Sequence, residues 1–317
     1  METHVIFGTG AAGAAVMRAL VKRGKSVRMI NRSGKPSQAT GSTLPANVEI
    51  RSGDAYDAAQ VRALTSDAAA VYQCSQPEYT EWATKFPPLQ AAIIEGVSAT
   101  SARLIVLENL YMYGDPAGKP LSESSPLNPN SGKGRVRLAM SESLMAAHRS
   151  GKIRAAAARA SDYYGPGYTL NGDQIFYPVL AGKTARGLGS LDALHTFTHT
   201  LDVGEAMATL AEHDEALGQV WHVPSAPAIT QRHLITQAFQ IAGTTPKLGA
   251  INSLMMRLAG LFIPGAREVA EMMYEFERPF IVDSSKFSRA FGMTATPYAE
   301  GLAATLSWFR ANPKAAK

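Results

Sequence analysis

The fold of this chain is decided near its amino terminus by the stretch Val5-Ile6-Phe7-Gly8-Thr9-Gly10-Ala11-Ala12-Gly13. The apolar run before the glycines has strand length, and the run after them has helical apolar spacing. In this strand-to-helix setting a G-x-G-x-x-G pattern predicts a dinucleotide-binding loop formed by residues 8–13. Gly8 would make the tight turn, Gly10 would let the backbone approach a pyrophosphate, and Gly13 would let the helix pack on its strand. The alternative is a glycine-rich turn of another parallel-sheet protein.

Length and composition indicate an ordinary globular protein. The chain has 317 residues, of which 46% are hydrophobic and 18% charged, so it can form one large domain or a domain with a lobe. Its formal net charge of +5 comes from scattered lysines and arginines, whereas nucleic-acid binding needs basic residues clustered on one face. We therefore predict a small-molecule substrate as partner and no nucleic acid.

Several features indicate a cytoplasmic protein without membrane contact. Cys74 is the single cysteine, which excludes an internal disulfide and indicates a reducing compartment. The first predicted strand starts at about residue 4, so no signal peptide is expected. The longest apolar run, residues 258–263, is too short to span a bilayer. The histidines show no metal-ligand spacing, and we predict no metal.

The end of the second predicted strand distinguishes two cofactors. Asn31, Arg32 and Ser33 follow the strand at 27–30, at the distance from the glycines where an NAD-binding chain carries Asp or Glu for the ribose 2′-hydroxyl. No carboxylate is available here, and a guanidinium pairs well with a phosphate. We predict that these residues bind the 2′-phosphate of NADP, which is expected in preference to NAD. The alternative is a solvated basic loop.

Two later strand ends add candidate cofactor contacts. The strand at 48–51 leads to Asp54, which could accept a hydrogen bond from the adenine amine or serve as a turn residue. The strand at 68–73 leads to Cys74, Ser75 and Gln76, a loop expected to face the nicotinamide ribose. Cys74 has no cationic neighbour in sequence to activate its thiol, so a buried residue is expected and not a nucleophile.

Further motifs follow the glycine loop in order. They are Gly53-Asp54, Tyr113-Gly114, RASDYYGPG at 159–167 and FTHTLDV at 197–203. Together they resemble the extended short-chain dehydrogenase/reductase family, in its NAD-dependent epimerase/dehydratase group, over almost the whole chain. The middle glycine of GTGAAG stands one place earlier than in typical members, which indicates an atypical subgroup.

The resemblance implies a fold and a division of the chain. The fold is α/β, a doubly wound parallel sheet of the Rossmann type with a smaller carboxy-terminal substrate lobe. Residues 1–165 with 191–224 would form the dinucleotide-binding domain, and residues 166–190 with 225–317 the substrate lobe. Tyr164 would pack beside the cofactor ring. A homodimer is compatible with the resemblance, since dimers are common in this family.

The catalytic pair of the family is missing. Its members use a tyrosine followed four residues later by a lysine, whose ammonium lowers the pKa of the phenol. None of the eleven tyrosines here has a lysine at that distance. By order along the chain, Lys133 and Arg137 are the nearest substitutes, four residues apart on one helix face. Arg137 could keep the ribose contact, but a lysine ammonium is a poor proton donor; the alternative is two solvated cations.

Other candidates lie near the same place in the chain. The resemblance puts Asn109 where the family has a serine or threonine that hydrogen-bonds the substrate oxygen, and an amide cannot shuttle a proton. Tyr113 offers a phenol, although the resemblance gives it a structural role, and Tyr111, Tyr163 and Tyr164 offer others. The candidate catalytic residues are therefore Asn109, Tyr113, Lys133 and Arg137.

Two functions follow from these observations. The first is an NADP-binding oxidoreductase or epimerase-like protein that acts on a small carbonyl or alcohol with a non-standard proton donor. The second is a catalytically silent NADP(H)-binding sensor or scaffold. The missing tyrosine and lysine favour the sensor, whereas the predicted substrate lobe favours the enzyme.

Overall fold

A computed structural model describes residues 2–314. Its strands, in chain order, are β1 (Thr3–Phe7), β2 (Ser26–Asn31), β3 (Val48–Ser52), β4 (Ala68–Gln73), β5 (Arg103–Glu108), β6 (Arg154–Arg159), β7 (Asp162–Tyr164), β8 (Ala185–Leu188), β9 (Leu194–His195), β10 (Phe197–His199), β11 (Val220–His222), β12 (Ile229–Thr230) and β13 (Leu248–Ile251). Its α-helices are α1 (Ala11–Lys22), α2 (Ala58–Thr65), α3 (Trp82–Val97), α4 (Gly132–Arg149), α5 (Tyr177–Leu180), α6 (Thr200–Glu212), α7 (Gln231–Ala242), α8 (Ser253–Ala259), α9 (Pro264–Ala270), α10 (Tyr274–Glu277), α11 (Ser285–Phe291) and α12 (Tyr298–Ala311). The last three residues of the predicted substrate lobe lie outside the described residues.

Seven of these strands form one parallel sheet in the order β11-β6-β5-β4-β1-β2-β3. The chain starts at β1, moves outward to β3, and returns to β4 on the other side of β1. In such doubly wound sheets a ligand binds beyond the carboxyl ends of the strands, where the order reverses. The predicted Rossmann fold is confirmed, and this reversal positions the site.

Helices cover both faces of the sheet, which is why its central strands are almost wholly apolar. Helices α1 and α6 pack on one face of the sheet, and α3 and α4 pack on the other. A buried apolar cluster lies between each pair of helices and the sheet. Helix α6 approaches α1 so closely that a Cβ at Gly204 would lie 2.3 Å from the Ala15 carbonyl carbon. Glycine at this position therefore sets the distance between the two helices.

A third buried cluster forms the core of a smaller lobe. Phe176, directly before α5, packs there with Phe239 of α7 and Phe309 of α12, and all three are buried. The strand pairs β8–β13 and β9–β12 belong to the same region. Helix α10 is fastened to β9, because the Glu275 carbonyl accepts a hydrogen bond from His195 Nδ1 at 3.0 Å.

Candidate active site

One cavity of about 410 Å³ lies at the carboxyl ends of β1, β4, β5 and β6. The glycine loop and the loops after β4 and β5 form much of its wall, and Glu275 and Phe280 close it from the carboxy-terminal part of the chain. Aromatic side chains supply most of the apolar wall. Within this wall the predicted residues are Gly8, Thr9, Gly10, Ala11, Ala12, Cys74, Ser75, Gln76, Asn109 and Arg137.

The three glycines of the loop meet three different constraints. Gly8 has φ +111°, and a Cβ there would lie 2.9 Å from the Cys74 carbonyl carbon. Gly13 does not line the cavity, but a Cβ there would lie 2.0 Å from the Gly8 oxygen, so any side chain would break the strand-to-helix turn. Around Gly10, no described atom lies within 4 Å of an added Cβ. Gly10 therefore leaves open the space that an approaching ligand would need.

The polar groups around this loop suit an anionic dinucleotide. Helix α1 has no acidic residue in its first turn and no side-chain cap, so its free N–H groups and dipole favour negative charge. Both polar side-chain atoms of Gln73 are buried without a described partner, as are the Ser75 and Ser161 hydroxyls. All three residues line the cavity. Because buried polar groups normally have partners, these atoms are suited to a ligand.

The loop after β2 is built around Asn31. Its Nδ2 donates to Thr9 Oγ1 at 3.0 Å and to the Lys35 carbonyl at 2.8 Å, and its Oδ1 accepts from the Gly34 N–H at 2.7 Å. Asn31 thus fastens this loop to the glycine loop. Arg32 and Ser33 are exposed at its tip and lie outside the cavity wall.

Asp54 has the turn role that was the alternative to an adenine contact. Its Oδ1 accepts from the Tyr56 N–H at 2.9 Å, which is the local bond of an Asx turn. The residue is exposed and does not line the cavity. This bond uses only Oδ1, so the contact of Asp54 with the adenine amine stays a prediction.

Cys74 lines the cavity as a packing residue. Its sulfur lies 4.0 Å from Met207 Sδ, and burial raises the pKa of its thiol to about 12. A thiol with so high a pKa is not a nucleophile at neutral pH.

Two of the four predicted catalytic residues meet in the cavity wall. Arg137 Nε donates to Asn109 Oδ1 at 3.3 Å, and Arg137 Nη2 donates to the Leu107 carbonyl at 3.1 Å. The guanidinium also lies 4.8 Å from the centre of the Phe86 ring. Within residues 2–314 it has no carboxylate within ion-pair distance, so its charge is available to a ligand.

Lys133 does not reach the cavity. Its ammonium pairs with Glu268 Oε2 at 2.7 Å, bonds the Tyr79 carbonyl, and lies 3.9 Å from the centre of the Tyr79 ring. Tyr79, and not Lys133, contributes to the wall. The prediction that Lys133 is catalytic is corrected because an acidic partner from α9 holds its charge.

Tyr113 is also removed from the catalytic set. Its hydroxyl accepts from Arg159 Nη1 at 2.8 Å and lies 2.8 Å from His222 Nε2. The side chain is 3% exposed and packs in a buried cluster outside the cavity wall. Its role is structural.

Tyr164 lies away from the cavity in the core of the smaller lobe. Its ring packs 5.1 Å from that of His199 and 5.7 Å from that of Tyr298. The adjacent Tyr163 lines the cavity instead. The predicted contact of Tyr164 with a cofactor ring is therefore corrected to a packing role.

Comparison with known proteins agrees with this geometry. The family model described as NAD dependent epimerase/dehydratase family matches residues 5–223. The chain belongs to this family. The resemblance found in the sequence is confirmed.

Two relatives and one solved structure illustrate the similarity within the family. A dTDP-6-deoxy-L-talose 4-dehydrogenase (NAD(P)(+)) of Kitasatospora kifunensis is 26% identical over 77% of this chain and 80% of its own length. A 2'-dehydrokanamycin reductase of Streptomyces kanamyceticus is 24% identical over 77% of this chain and 67% of its own. A UDP-glucuronic acid 4-epimerase of Bacillus cereus, solved with NAD, shares the fold with a TM-score of 0.79 at 17% identity, over 97% of this chain and 96% of its own.

This family member carries acidic groups in its cavity that sequence reasoning missed. Asp162 and Glu275 both line the wall, and Asp162 Oδ2 lies 2.9 Å from His195 Nε2. Asp162 gives a weak signal, since it follows β6 within RASDYYGPG. Glu275 gives none, because it reaches the cavity only when the carboxy-terminal part of the chain folds over the sheet.

Two further observations limit the chemistry of the described residues. No three histidine, cysteine or acidic side chains among residues 2–314 are arranged to hold a metal ion. In the same residues, no helix is both long enough and apolar enough to cross a bilayer.

The free energy of unfolding of the wild-type protein is expected to fall as pH rises, and replacing Glu275 with glutamine is expected to abolish this fall. Burial, assisted by the Asp162 charge, raises the pKa of Glu275 well above 4.5. Between 4.5 and the raised pKa, the folded protein keeps a proton that the unfolded chain releases. The free energy of unfolding therefore falls with pH, by at most about 1.4 kcal/mol per pH unit. Urea unfolding from about pH 5 to about pH 8 measures this slope.

Glu277→Gln is the matched control for this prediction. Glu277 is exposed on the same helix, so its variant should keep the wild-type dependence on pH. Equal slopes for wild type and Glu275→Gln would mean that Glu275 is ionised in the folded protein.

Proposed function

We propose that this chain is an NADP(H)-dependent oxidoreductase or epimerase-like enzyme that acts on a small carbonyl or alcohol without a Tyr-xxx-Lys pair. The observation that carries the proposal is the open space at Gly10, beside an uncapped helix and facing the cavity. The unpartnered polar atoms of Gln73, Ser75 and Ser161 support a bound dinucleotide at the same place.

Residues of this chain would bind and orient the reactants. When bound, the cofactor supplies or accepts a hydride. Arg137, buried and without an ion-pair partner in the described part of the chain, would hold the nicotinamide ribose or an anionic group. Asn109 is held by Arg137 through its Oδ1, which leaves its amide N–H groups free to donate to a substrate oxygen.

Closure of the cavity supports a substrate role for the carboxy-terminal lobe. Phe280 and Glu275 lie in the wall opposite the glycine loop segments of the sheet domain. We propose the division predicted from the sequence, in which residues 166–190 and 225–317 select the substrate. Apolar walls that exclude water would strengthen polar contacts to the reacting group.

A cytoplasmic location and a homodimer stay part of the proposal. The single cysteine supports this location, because Cys74 is a free thiol and the chain needs no disulfide. Analytical ultracentrifugation of the purified protein measures the oligomeric state directly.

The experiment that tests the function combines binding with turnover. Purified protein is titrated with NADPH and NADH by calorimetry, and then assayed with NADPH against aldehydes, ketones and keto forms of nucleotide sugars. NADPH binding with oxidation in the presence of one of these carbonyl compounds is the expected result. Tight NADPH binding with no oxidation by any of them would favour the sensor or scaffold, and no binding would reject both.

Replacing Arg32 with alanine is expected to weaken NADPH binding by about tenfold to about a hundredfold while NADH binding stays unchanged. Arg32 is exposed, and no described side chain pairs with its guanidinium. Its loss removes a charge-assisted bond to the 2′-phosphate, which NADH lacks. Calorimetric titrations of wild type and variant with both cofactors give the two ratios.

Arg62→Ala serves as the control for the change of charge. Arg62 is exposed on α2, so its loss should leave both dissociation constants unchanged. An equal effect of Arg32→Ala on NADPH and NADH would contradict the assignment of Arg32 to the 2′-phosphate.

A further inference from the structure

Asp162, which is partly exposed, and His195, which is buried, form a pair at the wall of the cavity. His195 Nε2 lies 2.9 Å from Asp162 Oδ2, and His195 Nδ1 lies 3.0 Å from the Glu275 carbonyl oxygen. The imidazole is 1% exposed and stacks on Phe276 with its ring centre 5.1 Å away. Asp162 itself lines the cavity, so the pair connects a buried ring to the space for the substrate.

The two hydrogen bonds of His195 require one proton more than a neutral ring and a carboxylate provide. A carbonyl oxygen only accepts, so Nδ1 must carry a hydrogen and donate it to Glu275. A neutral ring then has no hydrogen on Nε2, and an ionised Asp162 has none either. The 2.9 Å contact between Nε2 and Oδ2 therefore needs an additional proton, held on one of these two atoms.

His222 shows the contrasting arrangement in the same protein. Its Nδ1 lies 2.9 Å from the Asp283 carbonyl and its Nε2 lies 2.8 Å from the Tyr113 hydroxyl. The carbonyl accepts from Nδ1 and the hydroxyl can donate to Nε2, so a neutral ring satisfies both bonds. His222 therefore needs no additional proton, in contrast to His195 with its carboxylate partner.

The groups around Asp162 do not supply the charge that would replace the additional proton of the pair. The titratable side chains that feel the charge of Asp162 are Glu275, Tyr79, Tyr111, Tyr163, Tyr168 and Tyr274. Burial raises the pKa of all six, which favours their neutral forms. No lysine or arginine pairs with Asp162 among residues 2–314. Arg137 also lines the cavity, and its positive charge opposes the effect of burial on the pKa of Tyr163.

We propose that the Asp162–His195 pair is the proton donor and acceptor of this site, in place of the tyrosine of the missing pair. The inference rests on the proposed function. In the reductive direction the pair gives one proton to the substrate carbonyl oxygen while a hydride from the reduced nicotinamide adds to the carbonyl carbon. The C=O π bond breaks, the carbonyl is reduced to an alcohol, and the cofactor is oxidised. The pair is left as a carboxylate and a neutral ring, and solvent returns the proton.

In this scheme Asp162 is the catalytic residue and His195 a positioning residue. Asp162 lies in the cavity wall and can reach a substrate oxygen, whereas His195 is enclosed by aromatic rings and acts through Asp162.

The first test reads the stored proton without turnover. NMR of the full chain labelled with ¹⁵N-histidine, with NADP bound and without it, reports which ring nitrogens of His195 carry hydrogen. A ring protonated on both nitrogens is expected, or a ring protonated on Nδ1 alone together with a protonated Asp162, read from the shift of its ¹³C-labelled carboxyl group. A ring protonated only on Nε2 would overturn the proposal. The His195→Gln spectrum assigns the signals.

The second test separates proton transfer from binding. Asp162→Asn is expected to lower kcat for reduction by about a hundredfold or more and to leave the dissociation constant of NADPH unchanged. Asp162→Glu should restore part of the rate. Activity within tenfold of wild type, or a loss of rate that accompanies a loss of NADPH binding, would overturn the proposal.

Glu215→Gln is the matched control, because Glu215 pairs with exposed His213 at 2.9 Å on the surface. It should leave kcat unchanged. Failure of the proposed function itself would be recognised separately, since the wild-type protein would then bind no NADPH or turn over no substrate, whatever the state of His195.

Discussion

Replacing Gly10 with valine is expected to weaken NADPH binding by at least about a hundredfold while the protein stays folded. Gly10 has an extended backbone, with φ −73° and ψ −170°, which valine adopts without strain. An added Cβ meets no described atom within 4 Å, so the side chain would fill only the space intended for the pyrophosphate. Losing two charge-assisted bonds of about 1.5 kcal/mol each gives this factor. Calorimetric titration with NADPH and urea unfolding measure both quantities.

Gly13→Ala provides the comparison for this prediction. Its Cβ would lie 2.0 Å from the Gly8 oxygen, so the smaller substitution should cost more stability than Gly10→Val does. Two other results would contradict the assignment. Gly10→Val with unchanged NADPH affinity would place the phosphates elsewhere, and Gly13→Ala with unchanged stability would contradict the tight turn.

The sheet and the glycine loop are predictable from the sequence because their constraints are local. An apolar run, three glycines and an apolar-periodic run lie within about 20 residues of one another, and each determines the conformation of its own segment. The loop after β4 is predictable for a related reason. Its residues follow a buried strand next to β1, and the ends of neighbouring parallel strands meet at one edge of the sheet.

Adjacent tyrosines show where local patterns stop being sufficient. Tyr163 and Tyr164 follow each other in β7, and successive side chains of a strand point to opposite sides. The sequence determines this alternation but not which of the two faces the cavity. Packing of Tyr164 against His199 and Tyr298 decides it, and those partners come from distant segments. The same holds for Lys133, whose partner Glu268 lies far along the chain.

The sequence does not predict that the acidic groups of the site meet. Asp162, His195 and Glu275 come from three segments with no short spacing between them. Their meeting depends on how the carboxy-terminal part of the chain folds back over the sheet. A search for the missing tyrosine and lysine looks only at α4, which contributes Arg137 to the wall but none of these three residues.

Replacing Arg159 with methionine is expected to lower the free energy of unfolding by about 3 to about 5 kcal/mol. Arg159 Nε pairs with Glu108 Oε2 at 2.8 Å, and Arg159 Nη2 donates to Ser141 Oγ at 2.8 Å. The side chains of Arg159 and Glu108 are 3% and 0% exposed, so the variant would leave a carboxylate buried without its countercharge. Urea unfolding at neutral pH measures the loss.

A second variant and a surface pair show that the effect comes from the buried charge. Adding Glu108→Gln to Arg159→Met should recover part of the lost stability, because the remaining group is then neutral. Arg232→Met breaks an ion pair with Asp192 whose side chains are 52% and 66% exposed, and it should cost less than about 1 kcal/mol. Similar losses for Arg159→Met and Arg232→Met would mean that water reaches Glu108. The carboxyl ends of β5 and β6 would then not form the dry, fixed edge on which the cavity depends.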